Sequence, residues 1–78
     1  MTKVMTDRDI MISAMNERKT FQKDLAEKMG VNQSTISTNM RRDKIGLNVF
    51  AKLLDALGYD VAVVDRNTGK VKWTVEVK

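Results

Sequence analysis

Apolar residues recur at helical spacing as far as Gly58 and at every second position beyond it, so the chain divides there. Ile10, Met11, Ala14 and Met15 make the inward stripe of a first helix ending near Arg18. Thr6 can cap it: Thr6-x-x-Asp9 resembles a capping box with Asp in place of Glu, and Met5 and Ile10 sit where a hydrophobic staple would place them. A second helix is predicted from Phe21 to Met29, with Thr20 as N-cap, Leu25, Ala26 and Met29 inward, and Gly30 ending it. Asn32 can cap a third helix that runs to about Met40 or Arg41. Gly46 marks the next break. Leu47, Phe50, Leu53, Leu54 and Leu57 then form the strongest amphipathic pattern in the chain, stopped by Gly58 as a C′ glycine.

Past Gly58 the alternation is that of strands. Tyr59, Val61 and Val63 alternate with Asp60, Ala62 and Val64, and Val71, Trp73, Val75 and Val77 alternate with Lys70, Lys72, Thr74, Glu76 and Lys78. The intervening "DRNTG" makes a turn in which Gly69 can take positive φ, as in a hairpin with a bulge. The expected fold is mainly α with a C-terminal β-hairpin: four helices followed by two antiparallel strands. Residues 1–5 form a flexible N-terminal arm, 6–58 the helical part and 59–78 a hairpin of the same domain.

The third helix departs from an ordinary surface helix. Ile36 and Met40 can share an inward face, but around them stand Asn32, Gln33, Ser34, Thr35, Ser37, Thr38 and Asn39. Short amides and hydroxyls are poor helix formers, and Glu or Lys would solubilise such a face better. No carboxylate lies between Glu27 and Asp43. Charge sharpens the picture. The chain carries a net +4, and the segment from Arg18 to Lys44, with Arg18, Lys19, Lys23, Lys28, Arg41, Arg42 and Lys44 against Asp24, Glu27 and Asp43, holds the whole excess. A local positive field suits a polyanion, although a solvated face would look the same by charge alone.

Composition narrows the chemistry. At 78 residues the chain is one small domain. With no histidine it lacks the commonest general base and metal ligand, and with no cysteine it lacks thiolate sites and disulfides. There is no glycine-rich phosphate loop. An enzyme is therefore not expected, nor is a metal, a cofactor or a small-molecule ligand. No apolar run approaches the roughly 18 residues of a membrane span, and no signal-peptide pattern opens the chain, so a cytoplasmic location without membrane association is expected.

In "QKDLAEKMGVNQSTISTNMR", Ala26 stands where two consecutive helices would cross most closely, and Gly30 sits at the turn between them. Val31 and Ile36 can bury between those helices with Leu25 beneath. These are the packing needs of a DNA-binding helix-turn-helix, whose second helix enters the major groove. The run "FQKDLAEKMGVNQSTIS" resembles the Cro/repressor-type (XRE-like) helix-turn-helix of phage and bacterial regulators. The likeness covers roughly residues 6–58, including "LLDALG", and implies a four-helix, lambda-repressor-like domain. Two positions depart from the pattern: Phe21 stands where a Thr or Ser cap is usual, and Asn39 stands where most members bury an aliphatic residue, a role that Met40 can take with a shifted helix end.

A groove-reading helix needs groups that match base-edge donors and acceptors. Gln33, Ser34, Ser37 and Thr38 are the candidate base contacts, Gln33 by bidentate bonds to adenine. Thr20, Gln22, Lys23, Arg41, Arg42, Lys44 and Asn48 are the candidate phosphate contacts that set the register. Of these, Gln22 resembles the family's backbone-clamping glutamine. Leu25, Ala26, Gly30, Val31 and Ile36 hold the two helices together.

One module reads few base pairs, and helix-turn-helix proteins usually dimerise. Tyr59, Val61, Val63, Val71, Trp73, Val75 and Val77 could form one apolar face of the hairpin and a homodimer interface, unless the hairpin only completes the core. The leading expectation is a sequence-specific, double-stranded DNA-binding transcriptional regulator, a repressor acting as a homodimer on a two-fold symmetric operator. The alternative is an antitoxin-like protein-interaction module that also binds DNA.

Overall fold

A computed structural model describes residues 4–42 and 44–77. Of the arm expected over 1–5, residues 1–3 lie outside that range, as do Asp43 and Lys78. Four helices precede a two-stranded antiparallel hairpin: α1 (Asp7–Glu17), α2 (Gln22–Met29), α3 (Gln33–Arg41), α4 (Leu47–Ala56), β1 (Ala62–Val64) and β2 (Val71–Thr74).

Local chemistry explains where each helix begins and ends. Thr6 is extended and its Oγ1 accepts the Asp9 N–H at 3.2 Å, while Asp7 and Asp9 put negative charge at the positive end of α1. That helix closes in a Schellman turn. Lys19 takes a left-handed φ of 52° with its N–H on Asn16 O, and the Thr20 N–H bonds Met15 O at 2.9 Å. Thr20 therefore belongs to the end of α1, and its hydroxyl donates to Arg18 O, so it does not cap α2 as expected. Phe21 occupies that cap position. Lacking a side-chain acceptor, it relies on Asp24, whose carboxylate takes the Phe21 N–H at 3.1 Å.

Gly30 (φ 70°) and Gly58 (φ 87°) end α2 and α4 in the same left-handed manner. The Val31 N–H reaches Ala26 O at 3.0 Å, and the Tyr59 N–H reaches Leu54 O at 2.8 Å. A residue other than glycine would be strained at either position.

The helices enclose one core in which Met11, Leu25, Ile36 and Leu53 are fully buried, one from each helix. Met15, Ala26, Ile45, Leu54 and Leu57 complete it. Each large side chain removed from water contributes about 1.5–3 kcal/mol. Ile45 comes from the connection between α3 and α4, where the helical periodicity gives no reason to look for a core residue. Val31 corrects the expectation that it packs between the helices, being 39 % exposed. Its backbone closes the turn after α2 by the bond to Ala26 O, and its side chain is left outside the core cluster. Leu47, at the head of the α4 stripe, is also exposed. Among the described residues no helix is long and apolar enough to cross a membrane.

The hairpin stands largely outside this core. Tyr59 and Val61 pack against it, whereas Val63, Val64, Val71 and Trp73 are exposed. Val63 faces Trp73 and Val64 faces Val71, with a register shift between them that leaves Lys72 as an extra residue. The shift breaks the strict alternation expected along the second strand, so Val71 and Trp73 do not fall in one continuous apolar row. Asp65 builds the turn: its Oδ1 accepts the N–H groups of Asn67 and Thr68, and its carbonyl accepts that of Gly69 (φ 74°).

The root of the hairpin is tied to α1. The Arg18 guanidinium lies 4.2 Å from the centre of the Tyr59 ring, its Nε donates to Leu57 O at 3.0 Å, and its Nη2 donates to Gly58 O. The Tyr59 hydroxyl donates to Glu17, which raises its pKa above the ordinary phenol value.

Candidate nucleic-acid interface

Helix α3 begins at Gln33, with Asn32 in the cap position and the Thr35 N–H on Asn32 O at 3.0 Å, but the Asn32 side chain makes no capping bond, unlike the cap expected of it. Because Ile36 is fully buried, the helix is oriented with Gln33, Ser34, Thr35 and Thr38 exposed. That outer face bears amide and hydroxyl groups, and no residue from 28 to 42 is acidic. Asn39 and Met40 are both half-buried, with Met40 packed against the core. Arg41 and Arg42 follow directly and are exposed.

Ser37 sits differently from its neighbours. It is half-buried, and its hydroxyl donates to Gln22 Oε1 at 2.5 Å, so it braces α3 against α2. The Gln22 amide in turn lies 3.8 Å from Met40 Sδ. A candidate base contact and a candidate phosphate contact are thus bonded to each other. Together with Arg8, Ile12, Met40 and Arg41 they line an open cleft of about 410 Å³ between α1, α2 and α3.

The remaining phosphate candidates lie outside α3. Lys23 is exposed on the first turn of α2, Lys44 on the connection before α4, and Asn48 on the first turn of α4. Thr20 is half-buried with its hydroxyl committed to Arg18 O. The basic cluster seen in the sequence also divides. Arg18 and Lys28 turn to the carboxyl end of α4, where Lys28 Nζ donates to Ala56 O at 3.3 Å. Both therefore complement a helix dipole. Of the residues proposed to hold α2 and α3 together, Leu25, Ala26 and Ile36 are buried, Gly30 is left-handed, and Val31 is outside.

Two neighbouring residues on α1 matter to this face and were not singled out from the sequence. Arg8 donates from Nε to Met40 O at 2.8 Å and from Nη2 to Arg41 O at 2.8 Å and Arg42 O at 3.3 Å. Asp7 accepts the Ile45 N–H at 2.8 Å, and this bond holds its pKa below the ordinary value. The sequence held only a weak signal, a cation in the first turn of a helix where the dipole disfavours it.

The hairpin residues proposed as a dimer surface separate by depth. Tyr59, Val61 and Val75 are half-buried, and Val63, Val71, Trp73 and Val77 are exposed. Val77 borders a shallow groove with Lys28, Met29, Lys52, Asp55 and Ala56. Comparisons with protein-family models, curated proteins and solved structures give no match to this chain.

Proposed function

We propose that this chain is a sequence-specific, double-stranded DNA-binding transcriptional regulator of the helix-turn-helix type. The observation that carries the reading is the outer face of α3, where Gln33, Ser34, Thr35 and Thr38 are exposed and uncharged and two exposed arginines follow. Base edges in the major groove offer mixed donors and acceptors, which amides and hydroxyls can meet at close range. Carboxylates would be repelled by the phosphates, and arginines at the helix end can neutralise them. The left-handed turn at Gly30 and the buried Leu25, Ala26 and Ile36 give α3 a fixed seat on α2. Ser37 serves this joint, leaving base reading to Gln33, Ser34 and Thr38.

The protein acts as a homodimer that occupies a two-fold symmetric operator and represses by blocking polymerase. The exposed Val63, Val64, Val71 and Trp73 support the hairpin as the place where two copies meet, because so much apolar surface on a two-stranded ribbon is better covered. The same surface favours a second reading, an antitoxin-like module whose hairpin holds a different protein.

Selection of bound sequences from random duplex DNA at two salt concentrations tests the proposal. An enriched symmetric motif with half-sites about one helical turn apart is expected. Salt-sensitive binding without any enriched motif would refute sequence reading and leave the basic surface alone. A monomer by sedimentation at tens of micromolar would remove the homodimer.

A further inference from the structure

Three of the four helices end alike, in a left-handed residue at Lys19, Gly30 or Gly58 whose neighbours bond the last carbonyls. Helix α3 does not. It leaves at Arg42 in an extended conformation (φ −65°, ψ 149°), and its final carbonyls are met from another helix. The planar guanidinium of Arg8 takes the carbonyls of Met40, Arg41 and Arg42, 32–34 residues away in sequence. Asp7 beside it takes the N–H of Ile45, whose side chain is in the core. Two consecutive side chains therefore grip the connection after α3 on both sides, one through carbonyls and one through an amide.

We propose that Arg8 is a positioning residue for DNA binding: it fixes where α3 stops and so aims Arg41 and Arg42 at the phosphate backbone. The inference rests on the DNA-binding reading above. The geometry gives it a mechanism. Arg41 and Arg42 project from the peptide groups that Arg8 holds, so freeing those groups frees the direction of both side chains. A cation at the start of α1 is unfavourable there, and the negative end of α3 offsets it. Lysine keeps the charge at this position but lacks the fork that reaches three carbonyls.

The test uses the full chain with Arg8→Ala and Arg8→Lys. Amide hydrogen exchange is read without DNA, and binding to a selected duplex is titrated across salt. In both variants the amides of Met40 and Arg41, in the last turn of α3, should lose protection at least about tenfold while core amides such as that of Leu53 stay protected. The slope of log K against log salt should fall by about two, one for each arginine that loses its phosphate. Arg8→Lys should fail to restore it. If Arg8→Lys binds as the wild type does, Arg8 acts as a simple charge on the DNA and the proposal is overturned. Unchanged exchange in the last turn of α3 in either variant overturns it as well, and Arg8→Lys alone decides if the alanine variant does not fold. A wild-type chain that binds no duplex would remove the DNA reading itself, and the exchange measurement would still report whether the clamp exists.

Discussion

Ile36 and Val31 occupy similar places in the sequence pattern, on either side of the start of α3, yet their replacement by alanine should have unequal effects. Ile36 has no solvent exposure and belongs to the core that Met11, Leu25 and Leu53 fill. Deleting such a side chain costs about 2–5 kcal/mol, from lost transfer energy and from the cavity left behind. A domain of this length is stable by roughly 4–12 kcal/mol. One substitution can therefore remove about half of the stability, and at about 4–8 °C per kcal/mol the melting temperature should fall by at least about 8 °C. Val31 is 39 % exposed, so Val31→Ala should cost less than about 1 kcal/mol. Far-UV circular dichroism through urea and thermal melts is the suitable assay, because Trp73 is 67 % exposed on the hairpin and would report poorly on the core. Equal losses in the two variants would refute the account of the α2–α3 joint, since Val31 would then be a packing residue.

The other expectations concern the face itself. Gln33→Ala should cost about 1–3 kcal/mol at one operator position and relax the preference there, as read by binding to a panel of single-base variants. Arg41→Ala should instead weaken binding to every sequence alike and lower the salt slope by about one, so the reverse pattern would mean that α3 lies differently in the groove. Ser37→Ala should lower stability by about 0.5–1.5 kcal/mol through the lost bond to Gln22, whereas Ser34→Ala should leave the melting curve within about 0.5 kcal/mol of wild type. Asp7 is more acidic folded than unfolded, so its stabilising effect is complete above its ordinary value of 3.8 and is lost as the pH falls through the lower folded value. Asp7→Asn should flatten that acid limb of stability against pH, and an unchanged limb would show that folding does not lower the Asp7 pKa.

Local chemistry is legible in the sequence. Thr6, Gly30, Gly58 and Gly69 act through their immediate neighbours, and the change of period after Gly58 marks where helices give way to strands. The exposed polar face of α3 follows from the burial of Ile36. What stayed hidden depends on groups distant in sequence or on competition between adjacent turns. Thr20 looks like a cap, but Lys19 adopts a left-handed conformation without being glycine and draws Thr20 into the preceding turn. Arg8 reaching Met40 and Arg18 reaching Leu57 have no periodic signature. Ile45 is a lone apolar residue between helices, and the slip at Lys72 leaves the strand alternation in the sequence intact while altering the pairing.

That slip bears on how the molecule survives at high concentration. A ribbon of exposed valines with open backbone edges is a template on which chains can stack without limit, and stacking of that kind ends in fibres. Here the template is short, with strands of three and four residues, and its register shift twists the edge away from the flat form that repeated addition requires. Lys70 and Lys72 add like charge to the same edge, so each further copy would be repelled. The short, slipped strands therefore resist open-ended growth, and deleting Lys72, which would restore a regular register, should raise the tendency to form fibres.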